Sequence, residues 1–167
     1  MRMDKLTNQL QLALADAQSL ALGKDHNFIE PVHLLAALLQ QQGGSTRPLL
    51  QKVGANVTGL AEGVSKAVES LPRVSGNAGD VHVSNDLTRI LNVSDKLAQK
   101  GGDTYISSEL VLLALVESKG VAGELLKQHG VTALALQGAI EQMRGGEAVH
   151  NPEAEESRQA LDKYTID

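Results

Sequence analysis

The sequence contains no cysteine and no tryptophan, and it has only one phenylalanine and two tyrosines among its 167 residues. The lack of cysteine excludes disulfide bonds and thiol chemistry, and it is typical of a protein from a reducing compartment. Aromatic residues make up 2% of the chain, so the core has to be built from Leu, Val, Ile and Ala. Such a composition favours closely packed helices over a β-sandwich.

The chain also lacks a basic stripe and a long apolar run. Its formal net charge is -5, which makes nucleic acid a poor partner. No apolar segment approaches the roughly 20 residues that a membrane-spanning helix needs. The N-terminal residues MRMDKLTNQLQ contain no apolar signal-peptide core. We therefore expect a soluble cytoplasmic protein that binds neither nucleic acid nor membrane.

Two segments of the chain are similar to each other: FIEPVHLLAALL at residues 28–39 and YISSELVLLALV at residues 105–116. Subtracting 29 from 106, the positions of the two isoleucines, gives an offset of 77. The same offset pairs Thr7 with Ser84, Leu10 with Leu87, Leu14 with Leu91 and Leu20 with Leu97. After one deleted residue the offset becomes 76, and it pairs Gly54 with Gly130 and Leu60 with Leu136. The chain is therefore predicted to consist of two copies of one unit.

Each copy is predicted to form four helices. Thr7 and Ser84 are suited to cap the first helices, and glycines in GKDHN and KGGD are suited to end them. Pro31 fits the first turn of the second helix of the first copy. In the second copy, Ser107 is suited to cap the equivalent helix, and Glu109 lies where the helix dipole favours an acid. The remaining helices are predicted at about Thr46–Val53, Val57–Ser70, Val121–Gln128 and Thr132–Met143.

The predicted fold is all-α, with two four-helix repeats related by a pseudo-twofold axis and about eight helices in total. One repeat cannot bury its leucine faces alone, so the two copies are expected to share one core. The inward-facing residues are predicted to be Leu34, Leu35, Leu38, Val111, Leu112 and Leu115. A twofold axis is also expected to place the first helices of the two copies side by side.

The repeat domain is predicted at residues 1–143, with repeats at about 6–70 and 84–143. The Gly- and Pro-containing segment 71–83 connects the repeats. Residues 144–160 have the composition of a flexible linker, with two glycines, a proline and clustered acids. The pattern becomes apolar again at residues 161–167, which suggests the start of a further domain and hence a fragment of a longer protein.

The sequence contains no catalytic or cofactor-binding motif. None of the five histidines is paired with another His, Asp or Glu at metal-ligand spacing on one predicted helix, and HExxH is absent. The segments GGSTRP and KGGDT lack the glycine-lysine-serine ending of a phosphate-binding loop. The segment GNAGD lacks the third glycine of a dinucleotide-binding site. We expect no catalytic residues, no metal and no cofactor in this chain, which is therefore not itself an enzyme.

A binding function remains. If the first helices lie side by side, five leucines line a shallow groove that accepts extended or helical apolar segments. They are Leu10, Leu14, Leu87, Leu91 and Leu110. Thr7, Asp103 and Glu109 are expected at polar helix ends around this groove. The alternative is purely structural: the leucines pack the core, and the polar residues are a cap, a turn residue and a dipole-matching acid.

The opening MRMDKLTNQLQLALADAQSLALGKDHNFIEPVHLLAALL, followed one repeat later by GDTYISSELVLLAL, resembles the N-terminal domains of the Clp family of AAA+ proteins. The segments RMDKLTNQ and LDKYTID are most similar to its protein disaggregases. The resemblance implies a substrate-binding domain on a flexible linker above a homohexameric ATPase ring. Such a domain binds unfolded or aggregated polypeptide and helps pass it to the pore.

The resemblance also implies ATP and Mg in ATPase domains absent from this chain, the first of which begins near residues 161–167. The DnaK chaperone system is the implied partner of the full-length protein, whereas the isolated domain is expected to be a monomer. The family's substrate-handling polar residues match Thr7, Asp103 and Glu109. Val32 stands where an acid is common, which argues against two equivalent sites. An adaptor-docking regulatory domain, as in the protease-linked relatives, is the alternative function.

Overall fold

A computed structural model describes residues 3–74 and 81–156. The described part contains eight α-helices and a 3-10 turn at Met3–Lys5. The first repeat holds α1 (Asn8–Gly23), α2 (Pro31–Gln40), α3 (Thr46–Lys52) and α4 (Val57–Glu69), and the second holds α5 (Asn85–Lys100), α6 (Ser108–Glu117), α7 (Val121–Gln128) and α8 (Ala133–Arg144). Part of the connector (75–80), the end of the linker (157–160) and residues 161–167 lie outside the described residues.

The helix order confirms the predicted all-α fold of two four-helix repeats. Thr7 caps α1 by accepting a hydrogen bond from the Leu10 amide at 3.3 Å, and Ser84 caps α5 by accepting one from the Leu87 amide at 3.0 Å. Pro31 begins α2, as predicted. Ser107 occupies the N-cap position of α6, but its side chain makes no capping bond, so that part of the prediction is wrong.

Glycines end several helices, as the sequence indicates. Gly54, Gly130 and Gly102 have φ angles of 81°, 94° and 78°, a left-handed conformation that glycine adopts without steric penalty. The first repeat differs after α1. Gly23 still belongs to that helix, and Asp25 adopts the positive φ of 58° at the position equivalent to Gly102. The predicted glycine stop for α1 is therefore wrong, because an aspartate provides it.

The packing of the helices has the predicted twofold pattern. α1 packs on α2 and α5 on α6, while α3 packs on α8 and α4 packs on α7. The helices α2 and α6 lie at the centre and contact each other. The predicted core is confirmed, since all six of its side chains are fully buried: Leu34, Leu35, Leu38, Val111, Leu112 and Leu115.

The helices α1 and α5 are not a packed pair within the described residues, although they were predicted to lie side by side. Each first helix packs instead on the second helix of its own repeat, because the apolar faces of α2 and α6 occupy the centre. A twofold axis therefore relates the first helices without making them the main packing partners of each other.

Short strand pairings link the two repeats. The strand β1 (Phe28–Ile29) pairs in parallel with β2 (His82–Val83), and a bridge joins Leu6 to Ile106. The Thr7 amide donates to the Ile106 carbonyl at 3.0 Å, and its counterpart Ser84 donates to the Ile29 carbonyl at 3.1 Å. The leading segment of each repeat therefore pairs with the segment before the second helix of the other repeat. This exchange brings the start of α1 next to the start of α6.

Candidate functional site

The structure brings the three predicted polar residues together where α1 and α6 begin. Thr7 is the N-cap of α1, Glu109 lies in the first turn of α6, and Asp103 lies in the turn that precedes α6. The side chains of Asp103 and Glu109 are only 1% and 0% exposed. These residues therefore form a buried polar cluster instead of an exposed rim.

Arg144, in the last turn of α8, holds the two carboxylates of this cluster. Its Nε donates to Glu109 Oε2 at 2.9 Å, and its Nη1 lies 2.9 Å from Asp103 Oδ2. Its Nη2 donates to Ser107 Oγ at 3.0 Å, which explains why that hydroxyl does not cap α6. Burial acts to lower the pKa of Arg144, but the charges of Glu109 and Asp103 outweigh it and raise that pKa. The guanidinium therefore stays charged and compensates two buried acids.

Glu155 adds a third carboxylate that sequence analysis did not identify. Its Oε2 accepts hydrogen bonds from the Ser108 amide at 3.0 Å and the Ser108 hydroxyl at 3.2 Å, and also from the Thr7 hydroxyl. Burial raises the pKa of Glu155, and the nearby charge of Glu109 raises it further. The hydrogen bonds from Thr7 and Ser108 partly oppose this rise. In the sequence, Glu155 is one of several acids in a linker-like segment, so no local pattern distinguishes it.

Residues 147–156, here called the strap, carry Glu155 back to the domain. Gly145 and Gly146 follow α8 with φ angles of 59° and 86°, a left-handed conformation that favours glycine, and they redirect the chain. The Val149 side chain is only 3% exposed. The domain boundary at residue 143 stays a prediction, but the chain lies against the domain through residue 156.

Backbone hydrogen bonds attach the strap beside the cluster. The Val149 amide donates to Asp103 Oδ1 at 3.0 Å, and its carbonyl accepts from the Thr104 amide at 2.7 Å. Further along, the Pro152 carbonyl accepts from the Asn8 amide at 2.8 Å. The strap therefore crosses from the turn before α6 to the first turn of α1.

The five leucines predicted to line a groove lie in the core. Their exposed fractions range from 0% to 7%, for Leu10, Leu14, Leu87, Leu91 and Leu110. Leu10 and Leu14 belong to α1, which faces α2, and Leu87 and Leu91 belong to α5, which faces α6. They form no open groove in this structure, and contact with a bound chain requires local opening. Their role in binding stays a prediction.

An open cleft lies elsewhere, between α1, α2, α3 and α4 of the first repeat. Its volume is about 270 Å³, and its lining includes Leu20, Leu39 and Val64. Arg47 contributes positive charge to it, whereas Lys24 forms an ion pair with Glu69, which also lines the cleft. The cleft therefore combines an apolar lining with an ion pair and the cation of Arg47.

The described residues contain no group of three His, Asp or Glu side chains placed to hold a metal ion. In the same part of the chain, no helix combines the length and the apolar character needed to cross a membrane.

The comparison with known families gives one match. The sequence model described as "Clp repeat (R) N-terminal domain" matches residues 5–129. Among curated proteins, the chain is 57% identical over all 167 residues to "Chaperone protein ClpB" of Pseudomonas putida. The chain spans only 20% of the length of that relative.

Solved structures show the same fold. The Hsp104 N-terminal domain from Candida albicans superposes with a TM-score of 0.80 at 19% identity, covering 90% of this chain and 99% of that one. A complex of a ClpV N-domain with a VipB peptide superposes with a TM-score of 0.66 at 21% identity, covering 87% of this chain and 90% of that one.

Proposed function

Because this chain belongs to the family of Clp repeat N-terminal domains, we propose that it is the substrate-binding N-terminal domain of a ClpB-type protein disaggregase. It captures unfolded or aggregated polypeptide and helps deliver it to the pore of a hexameric ring. The observation that carries this proposal is the 57% identity to a ClpB chaperone, which extends over the whole chain.

In this proposal, the polar cluster and the leucines beneath it form the binding site. Its support is geometric: Thr7 and Glu109 lie about a hundred positions apart in the sequence, yet the exchanged strand pairing brings them together where α1 and α6 begin. This region, with Thr7, Asp103 and Glu109, is called the corner below. Leu110 follows Glu109 directly on α6, and Leu10 donates its amide to Thr7. Opening this corner therefore exposes apolar side chains beside polar ones, a surface suited to unfolded chains.

The other functions of the whole protein belong to regions outside this chain. They are ATP hydrolysis with Mg, assembly into a homohexamer and cooperation with the DnaK chaperone system, all in the cytoplasm. This chain contributes client capture and has no catalytic role of its own.

A titration tests the proposed function. Isotope-labelled domain is mixed with reduced, carboxymethylated α-lactalbumin, which is a permanently unfolded chain, and the amide resonances are followed. We expect shifts at Thr7, Glu109 and Leu110 and none at Leu134, which lies exposed on α8. Native α-lactalbumin at the same concentration is the matched control. The absence of shifts with millimolar unfolded client contradicts the proposal.

Docking of a folded adaptor is the second candidate function, and the open cleft in the first repeat favours it. That cleft is accessible without rearrangement, and its apolar lining and Arg47 suit an adaptor segment with apolar residues and an acid. A pull-down with native and urea-unfolded lysate separates the two functions. A single folded partner that is lost on Arg47→Glu supports adaptor docking, whereas preferential recovery of unfolded proteins supports client capture.

A further inference from the structure

We propose that the strap, residues 147–156, is an intramolecular latch that closes the client-binding corner and has to be released before a client binds. This inference rests on the proposed function and deepens it, since it concerns the regulation of the same site.

The strap contacts the predicted binding residues directly. The Val149 amide is bound by Asp103, and the Glu155 carboxylate is bound by Thr7. The same carboxylate accepts hydrogen bonds from the first residue of α6, which directly precedes Glu109. Two of the three predicted polar residues therefore have the strap as a partner, and a client cannot reach them while the strap is docked.

The electrostatics of the corner make the docked strap easy to release. Within residues 3–74 and 81–156, the carboxylates of Asp103, Glu109 and Glu155 share this buried region with the guanidinium of Arg144. Arg144 bonds to the first two but not to Glu155. Hydroxyl and amide donors from Thr7 and Ser108 stabilise Glu155 without neutralising it. An ionised carboxylate in such a place is disfavoured by desolvation and by the like charge of Glu109.

The covalent geometry also suits release. Gly145 and Gly146 form a two-residue hinge at the end of α8. The strap holds the corner mainly through hydrogen bonds and one buried valine. Segments with few buried apolar contacts open at lower free energy than core helices. The strap can therefore open while the helices stay folded.

A disulfide lock tests the latch in the whole chain. The Asn8 amide bonds to the Pro152 carbonyl at 2.8 Å, so cysteines that replace Asn8 and Pro152 come within reach of a disulfide. The chain has no other cysteine, and the reduced form of the same variant is the matched control. We expect oxidation to weaken binding of reduced, carboxymethylated α-lactalbumin at least about tenfold, because the open fraction is removed.

Two substitutions at Glu155 provide an independent test. Glu155→Ala removes the acceptor for Thr7 and Ser108, so it should release the strap and strengthen client binding. Glu155→Gln keeps an acceptor oxygen but removes the charge that Glu109 repels, so it should hold the strap more firmly and weaken binding. Hydrogen exchange of the Asn8 and Ser108 amides should become faster in the first variant and slower in the second.

The outcomes are distinct. Client binding that is equal in the oxidised and reduced forms, or stronger in the oxidised form, overturns the latch and leaves the proposed function intact. If the disulfide does not form, hydrogen exchange of the Asn8 amide in the wild-type chain decides: an unprotected amide shows that the strap does not dock and overturns the latch as well. If neither form nor Glu155→Ala binds the unfolded client while circular dichroism shows folded protein, both proposals are overturned.

Discussion

The Nδ1 atom of His26 lies 2.8 Å from the Nε2 atom of His33, and both rings are almost completely buried. The Glu30 amide donates to His33 Nδ1 at 2.8 Å, so His33 carries its proton on Nε2 and donates it to His26. His26 is then protonated on its own Nε2, which has no hydrogen-bond partner in the described part of the chain. A proton added to His26 Nδ1 would break the bond between the two rings, and a proton added to His33 Nδ1 would break the bond from the Glu30 amide.

This pair predicts that the domain loses stability in mild acid. Burial and the neighbouring His26 lower the pKa of His33 to about 4, and burial, with the charge of Arg73, also lowers the pKa of His26. Below pH 6.5 the unfolded chain therefore binds protons that the folded chain does not. For His33 alone, the free energy of unfolding should fall by about 3 kcal/mol between about pH 6.5 and 4.

Urea unfolding at a series of pH values measures this effect. Gln at position 33 can still accept from the Glu30 amide but does not titrate, so His33→Gln should flatten the pH dependence. A wild-type profile that is flat between pH 6.5 and 4 contradicts the neutral pair.

Removal of Arg144 should destabilise the domain strongly. Arg144→Met removes the guanidinium that pairs with the buried carboxylates of Asp103 and Glu109, and we expect a loss of about 3–5 kcal/mol in the free energy of unfolding. Chemical denaturation at neutral pH measures it. Stability equal to that of the wild type would show that the ion cluster contributes nothing.

The first repeat suggests which substitutions should recover the stability lost in Arg144→Met. Subtracting 77 from 109 and 76 from 144 gives Val32 and Val68, both buried. We expect the triple variant Asp103→Asn, Glu109→Val and Arg144→Val to recover most of the lost stability, because apolar packing replaces the ions. A triple variant less stable than Arg144→Met contradicts this expectation.

Leu38 and Leu115 are equivalent residues of α2 and α6, and both are 0% exposed. Replacement of either by Ala creates a core cavity and should lower the free energy of unfolding by about 2–5 kcal/mol. Thermal and urea denaturation should give similar losses for the two. Leu134→Ala is the control: that side chain is 81% exposed, and its loss should change stability by no more than about 0.5 kcal/mol.

Replacement by alanine should have opposite effects on stability at two helical glycines, Gly123 and Gly138. A Cβ atom on Gly123 would lie 2.5 Å from the Ser118 carbonyl oxygen and 2.6 Å from that of Leu115, so Gly123→Ala should destabilise by about 1–3 kcal/mol. A Cβ atom on Gly138 meets nothing within 4 Å. Gly138→Ala should therefore stabilise by about 0.5–1 kcal/mol, since alanine favours the helix. Melting temperatures that move in the same direction contradict the packing at Gly123.

Much of the fold is predictable because its signals are local. The bounds of α7, Val121–Gln128, match the prediction, and α2 begins at Pro31 as expected, since caps, glycines and apolar spacing act within a few residues. The packing of α1 on α2 instead of α5 was missed. Apolar periodicity identifies which face of a helix is buried, but it does not specify which other helix that face packs against.

The candidate site was predictable only in part. Thr7 was identified from its cap position, and the structure adds its bond to Glu155, which is 148 positions away. No short pattern encodes a contact of that separation. Ser107 illustrates a competing effect: the local rule predicts a cap, but the partly buried guanidinium of Arg144 donates to the hydroxyl, because a charged donor binds it more strongly.

The exchanged strand pairing has a consequence for the origin of the fold. An isolated repeat would leave its leading segment without a partner, and two isolated repeats would restore both pairings by associating. The connectivity is that of a homodimer whose subunits have been fused into one polypeptide. Fusion removes the requirement that the two halves stay identical. One corner now contains the imidazole pair of His26 and His33, whereas its counterpart contains Asp103 bound to the guanidinium of Arg144.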